Sequence, residues 1–420
     1  MRHVRGMPRK PRKKSQSKKD KVGWVDFGPF GGVQIIVVGD FCQLPPVKPF
    51  EHCLHNGCQQ ETKEERTDAA TSYACPLPGH PKIQDNEKWA FKSTAWEECK
   101  FKYVHLREIH RQKDESFVSI LQKCRLGKAL DASDISTLLH HPTEVENGAR
   151  LYSKREEVDD RNDLSFEELP GRPRKYKCLD VYKPSESDVG DSKSDHAMPS
   201  DVSRLRKDHR YASDLVLKRN MPVILLANID LKATLVNGSQ GVIDDFVPCD
   251  RLEPPTKPQK HNYEKDPEGY RRAMERYRHI SRFIHTNIAD LLPSVKFSNG
   301  TKRVIGPDCT VNETGEKGPQ FYALFSRTQI PLAPGWAMTI HKSQGMSLDR
   351  LIVNLGSVFE KGQAYVALSR ARSLKGLEIE EATRDELQDS LRVDLEVKKF
   401  LERLEGTGKG KNPELRNTGT

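Results

Sequence analysis

The chain has 420 residues, 35% of them hydrophobic and 31% charged, with a mean hydropathy of -0.72. That length accommodates two or three domains, but the polarity excludes one core running throughout, so part of the chain is loop or disordered tail. No apolar run approaches a membrane span and the N-terminus lacks a secretion signal's apolar stretch. The nine scattered cysteines form no dense disulfide framework and point to reduced thiols in an intracellular setting.

The formal net charge of +9 is local: residues 1–21 hold ten Lys or Arg against one Asp, and the remainder carries 59 charges of each sign. A tail of this kind, taken as residues 1–27, cannot bury a core and is expected to be disordered. A nuclear address, a nonspecific nucleic-acid arm, an organellar presequence and a plain solubilising tail all fit it. Val33 to Val38 (VQIIVV) then reads as a buried parallel strand, a partial first domain being placed at 28–149. The strand runs into GDFCQLPPV, and loops at the carboxyl ends of parallel strands are where such sheets hold ligands. Asp40 and Gln43 are therefore candidates to face a phosphate or its water, with an ordinary turn as the alternative.

A polar insertion follows at 49–89. Four residues separate Cys53 from Cys58 and four separate Cys75 from His80, with His52 and His55 nearby. The spacing is within the range of tetrahedral Zn2+ sites, although the long gap between the pairs also fits reduced loop cysteines. Trp89 to Trp96 reads as helix and Tyr103 to Leu106 as strand. Asp114 caps a helix whose Phe117, Ile120, Leu121 and Cys124 share one face and whose end is marked by Gly127. Arg111 stands just before that cap, where a helix-flanking ion pair is one reading.

A second domain is placed at 150–380, opening on the strand and helix start of ARLYSKREEVDDRNDLSFEEL. Pro184 to Asp208 is a loop or linker. Leu215 to Leu217 and Val223 to Leu226 are strand-like, and Asn237-Gly238 signals a tight turn before QGVI. A basic helix, Tyr270 to Ile284, carries Arg271, Arg272, Arg276, Arg278 and Arg282 among aromatics; a strand-holding surface and a packed amphipathic helix both fit. Trp336 to Gln344 has helical spacing with Gly345 as its left-handed cap, Leu351 to Leu355 is a buried strand, and Gly362 to Ala371 is a second helix. Their polar residues gather Thr339, His341, Lys342 and Gln344 with Gln363, Tyr365, Ser369, Arg370 and Arg372. Such a set suits phosphate chemistry, or it is a solvated helical face. Residues 381–420 hold a terminal helix, Asp385 to Leu404, and a tail.

AMTIHKSQG followed by YVALSRAR resembles the last two motifs of the superfamily-one DNA helicases, in the PIF (petite-integration-frequency) type. FGGVQIIVVGDFCQLPPV resembles that family's third motif and HRQ, His110 to Gln112, its fourth. Asn162 matches a family position, and LKRNMPVILLANID with LVNGSQGVI resembles the lead into its small β-barrel insertion, placed here at about 240–328. The resemblance spans roughly 30–379, broken by two insertions. It implies an α/β fold of two RecA-like P-loop NTPase motor domains, the first truncated, and a β-barrel insertion in the second. The implied activity is a monomeric, ATP- and Mg2+-dependent 5'-3' DNA helicase on single-stranded and forked DNA. DNA repair, recombination and telomere maintenance are the implied processes, in the nucleus or alternatively the mitochondrion. By the same resemblance Gln43 senses the terminal phosphate, Arg111 reaches it across the motor cleft, and Arg370 is an arginine finger. Asp40, Gln344 and Gly345 join them around the nucleotide, and Thr339, His341, Lys342 and Tyr365 couple it to DNA.

The pattern departs from the family in one respect. A P-loop needs GxxxxGK followed by Ser or Thr, and the sequence holds no such string, since Gly408-Lys409 is followed by Gly410. The acidic magnesium pair before FGG is also missing, Asp26 being a weak substitute. The expectation is a helicase that starts partway through its first motor domain and does not hydrolyse ATP by itself. A catalytically inactive DNA-binding fragment and a zinc-dependent interaction protein are the alternatives.

Overall fold

In the computed structural model of the chain, the described residues run from 30 to 407, except 31–32, 47–48, 54–57, 65–70, 107, 142–144, 184–199, 208, 287–290, 315–322, 357 and 381. The basic tail, Asp26, His55, most of the polar linker and the Gly408-Lys409 segment lie outside them. Two units form: residues 1–108, 125–127 and 392–420 make the first, and 109–124 with 128–391 the second.

In the first unit the 49–89 insertion folds as an antiparallel sheet of β1 (Glu61–Glu64), β2 (Thr71–Ala74) and β3 (Ile83–Gln84), in the order β1-β2-β3. The segment expected as a helix from Trp89 becomes a 3-10 turn, Ala90–Lys92, and then α1 (Thr94–Cys99). Ser93 separates them because its hydroxyl caps α1, accepting the Trp96 N–H at 3.2 Å. The core is aromatic. Phe41 meets Trp89, Phe91, Trp96 and Phe400 edge-on, and Phe91 stacks on Phe400 with centroids 4.2 Å apart.

The expected parallel strand VQIIVV does not form. Residues 33–40 carry no strand pairing, and Ile36 and Val38 are 80% and 81% exposed. Tyr103 to Leu106 fails in the same way, with Val104 83% exposed. A parallel strand draws its hydrogen bonds and its cover from neighbouring strands and crossover helices. The first unit's described strands, β1 to β3, are antiparallel and pair only among themselves.

The second unit begins at residue 109 and takes in α2 (Glu115–Arg125) up to Cys124. Asp114 Oδ1 accepts the backbone N–H groups of Ser116 and Phe117 at 2.9 and 3.3 Å, and Phe117, Ile120, Leu121 and Cys124 are the buried face. Gly127, at φ +59°, follows the helix. Next come α3 (Ala132–Leu139), β4 (Ala149–Tyr152), α4 (Arg155–Glu168), β5 (Arg174–Lys177), β6 (Leu179–Lys183), α5 (Ser200–Lys207), β7 (Asp214–Leu217) and β8 (Pro222–Leu225). β9 (Gln240–Pro248), α6 (Pro267–Thr286), β10 (Leu291–Phe297), β11 (Lys302–Val304), β12 (Asp308–Thr314), β13 (Ala323–Gln329) and β14 (Leu332–Pro334) continue the chain. The site is built on β15 (Ala337–Thr339), α7 (Ile340–Ser343), β16 (Leu351–Asn354), α8 (Gln363–Leu368) and β17 (Leu377–Glu380).

β15, β4, β16 and β17 form a parallel sheet in that order. Leu351 and Val353 of β16 are fully buried at its centre. The region expected as an insertion, about 240–328, contributes antiparallel strands to two sheets, β11-β10-β9-β8-β14 and β12-β13-β6, which strands outside it complete. Tyr176, Leu217, Phe283, Leu292 and Val295 are among their core residues. The turn before β9 has Gly238 at φ +95°, with the Ser239 N–H bonded to the Val236 carbonyl at 2.9 Å. Helix α6 packs on β12 and β13, burying Glu275, His279 and Phe283, while Arg276 pairs with Asp308 and Arg278 with Glu275.

Two helical expectations are corrected. Trp336 to Gln344 is not one helix: residues 337–339 pair with β4 at Arg150 to Tyr152, and only one turn of helix follows. Parallel pairing, completed by Asn162 exchanging hydrogen bonds of 3.1 and 3.0 Å with the Ala337 backbone, outweighs local helical spacing. The terminal helix is two, α9 (Arg384–Ser390) and α10 (Leu395–Thr407), divided at residues 391–394.

Candidate functional site

The second unit's polar cluster sits where β15 and β16 end. Thr339 closes β15 and caps α7, its hydroxyl accepting the Lys342 N–H at 3.2 Å. His341 is half-buried, and burial holds its pKa below the ordinary histidine value against the opposing charge of Glu360. Lys342 and Gln344 are exposed. Gly345 leaves the turn at φ +83° with no heavy atom within 4 Å of where a Cβ would stand, so any side chain there is strained by the backbone alone.

Arg370, just beyond α8, is 1% exposed. Its Nε donates to the Val366 carbonyl at 2.8 Å, Nη1 to the Met346 carbonyl at 3.2 Å and Nη2 to Ser369 Oγ at 2.9 Å. Burial, and then the charge of Arg111, push its pKa down to about 10. Half-buried Arg111 donates from Nε to Ser347 Oγ at 2.8 Å and from Nη1 to the Ser369 carbonyl at 3.0 Å. Its own pKa is lowered, chiefly by burial. Both guanidiniums are thus desolvated, near enough to repel, and hydrogen-bonded to neutral oxygens. Burying charge in that way is costly unless an anion compensates it. Arg372 differs, being exposed and paired with Asp349 at 3.0 Å.

Asp40 and Gln43 belong to the first unit and are described within it. A turn joins them, with the Gln43 N–H on the Asp40 carbonyl at 3.1 Å. Both Asp40 carboxylate oxygens are taken by Arg125, at 3.0 Å from Nε and 2.8 Å from Nη2. This carboxylate therefore serves as an anchor for the loop, which places Cys42 at 3% exposure with its thiol pushed up to about 12 by burial. In the same unit the Sγ atoms of Cys53 and Cys75 and a ring nitrogen of His80 lie within 4.8 Å of one another.

Sequence reasoning missed the residues that hold these groups. Gln112, inside the HRQ string, is buried and donates from Nε2 to the Ser369 and Ala371 carbonyls at 3.3 and 2.7 Å, fixing the segment behind Arg370. Gln240 bonds the Arg350 carbonyl at 2.9 Å and accepts the Asp349 and Arg350 N–H groups, tying the start of β9 to the approach to β16. Both glutamines stood in quoted motifs. Arg125 had no local signal.

No family model matches the chain. It is 32% identical over 355 residues to the ATP-dependent DNA helicase PIF1 of Xenopus laevis, aligning 84% of this chain with 41% of that protein. The human protein of that name is 30% identical over 356 residues, with the same coverage. The chain is related to the PIF1 helicases. It spans about 41% of the length of these curated relatives. The crystal structure of a Candida albicans Pif1 helicase superposes on it with a TM-score of 0.55 at 27% identity, covering 90% of this chain and 70% of that one. A Bacteroides Pif1 in complex with ADP-AlF4 gives a TM-score of 0.57 at 21% identity, over 91% of this chain and 69% of that one, and shows the shared fold. The parallel sheet β15-β4-β16-β17 is accordingly that of a RecA-like motor domain.

Proposed function

We propose that the chain supplies part of a PIF1-type, ATP-dependent helicase acting on single-stranded and forked DNA. In this reading Arg370 and Arg111 receive the nucleotide's terminal phosphate, and Gln43 takes the phosphate-sensing role that the family resemblance gives it. The observation that carries the proposal is the arginine pair, Arg370 buried and Arg111 half-buried, whose hydrogen bonds among the described residues go to neutral oxygens. An arginine delivered to a transferring phosphoryl group contributes roughly a thousandfold or more in rate. Thr339, His341, Lys342 and Tyr365, on or beside the same elements, would transmit nucleotide state to a DNA strand. Repair, recombination and telomere maintenance, in the nucleus or the mitochondrion, and action as a monomer belong to the same reading.

The residues present fit the phosphate end of ATP better than they fit Mg2+. Asp40, the acidic residue of the third motif, has both oxygens on Arg125, and the sequence carries no Walker-type GxxxxGK[ST] string. The 420 residues by themselves are therefore expected to bind single-stranded DNA without sustaining ATP turnover.

Fluorescence anisotropy of labelled single-stranded DNA, run at rising salt beside steady-state ATP hydrolysis, tests this. The expected outcome is binding that weakens with salt, as phosphate contacts require, and hydrolysis at background. No binding at low salt would sink the DNA assignment, and DNA-stimulated turnover would show that the absent P-loop is dispensable.

A further inference from the structure

We infer that the 49–89 insertion is a structural zinc module in which Cys53, Cys58, Cys75 and His80 hold one Zn2+. The claim is independent of the helicase reading and concerns a different part of the molecule.

Cys53 Sγ lies 3.5 Å from His80 Nδ1, His80 Nδ1 lies 3.1 Å from Cys75 Sγ, and Cys75 Sγ lies 3.3 Å from Cys58 Sγ. Zinc–sulfur bonds of about 2.3 Å and zinc–nitrogen bonds of about 2.0 Å, at tetrahedral angles, set ligand-to-ligand edges of about 3.5–3.8 Å. Cys53, Cys75 and His80 thus stand near three vertices of such a tetrahedron, and Cys58, against Cys75 but outside that mutual group, would complete it after a shift of its side chain. Reduced cysteines of a solvated loop have no reason to converge in this way.

The backbone places them from two hairpin-like pieces. His52 bridges Gln59 in antiparallel fashion, and the Cys53 N–H reaches the Cys58 carbonyl at 2.8 Å, which sets two thiols at the base of one loop. Cys75 follows the last residue of β2, and Gly79, at φ +90°, precedes His80 in the turn that leads to β3. A Cys-x4-Cys pair therefore faces a Cys-x4-His pair, a Cys3His set of the kind that closes a structural zinc site.

The energetics explain why a metal is needed. Pieces of fewer than about 40 residues seldom bury enough surface to fold without a disulfide or metal. Among the described residues of this insertion the only buried apolar side chains before Trp89 are Phe50 and Cys53. The other buried groups are polar, Gln60 and Ser72, and Leu77 is 55% exposed. Binding would release the thiol protons to solvent as the zinc–sulfur bonds form, so the metal should be lost on acidification.

The test is metal analysis of the intact 420-residue chain, purified without chelator, by inductively coupled plasma mass spectrometry. About one zinc per chain is expected, falling to background in the C53S/C75S double variant and unchanged in C178S, which alters a cysteine of the other unit. Should the double variant fail to fold, replacement of zinc by cobalt in the unaltered chain gives a second reading, a thiolate-to-cobalt absorption band. An unaltered chain that carries under about a tenth of an equivalent and takes up no cobalt overturns the inference. So does an intact mass showing a Cys58–Cys75 disulfide in the purified protein.

Discussion

Two apolar runs of similar chemistry have opposite fates in this molecule. Leu351–Asn354 (LIVN) is flanked by β4 and β17, and its Leu351 and Val353 are fully buried. Residues 33–38 (VQIIVV) are richer in β-branched side chains, yet no residue there is paired and every one is exposed. Strand propensity is therefore permissive only. A parallel strand needs neighbours for its hydrogen bonds and helices for its faces, and the second unit supplies the neighbours while the described part of the first does not.

Hydrogen exchange should separate the two runs most widely. Amides of Leu351–Asn354 are expected to exchange roughly a thousandfold or more slowly than those of residues 33–38, as read by mass spectrometry of peptic peptides. Equal rates would mean that VQIIVV finds a partner in solution. Next in size is the ion pair between β6 and β13, where Arg327, 1% exposed, meets both oxygens of Asp180 at 2.7 Å. Arg327→Ala should cost about 3 kcal/mol in urea unfolding of the second unit, because it removes the bidentate partner of half-buried Asp180 and leaves it only Arg206, at 3.1 Å, as a charged partner. Leu351→Ala should cost about 2–5 kcal/mol. Ile36→Ala should fall within about 0.5 kcal/mol, as for a surface site.

A pH prediction sharpens the contrast from the folded side. His209 accepts the Tyr211 N–H on Nδ1 at 2.9 Å, and burial and then Arg327 push its pKa down to about 4 from 6.5. The folded state thus binds fewer protons than the unfolded one between those values. Its contribution to stability is complete above pH 6.5 and lost as pH falls toward about 4, which a pH series of thermal melts on the unaltered chain and His209→Gln would show.

What could be read from sequence follows the same division. α2 was legible down to its cap and buried face because an Asp followed by 3.6-residue periodicity is local information. β16 was legible because a short apolar run between turn residues is too, and Arg370 and Arg111 were reached through the motifs around them. The strand at 337–339 was not, since its pairing with residues 150–152 is non-local and overrode helical spacing. Arg125 as the partner of Asp40, 85 residues away, and Gln112 as the clip behind Arg370, 257 residues from Ser369, depend on tertiary placement that no window contains.

The measurement that bears most directly on the arginine pair is calorimetric titration of metal-free ATP into the unaltered chain and into Arg111→Ala. Arg111 lies outside the strands of the parallel sheet. We predict weak, salt-sensitive binding to the unaltered chain, reduced about tenfold or more in the variant, since a charge-assisted phosphate contact contributes about 1.5–3 kcal/mol. Equal affinity for both proteins would contradict the assignment of Arg111 and Arg370 as a phosphate-receiving site.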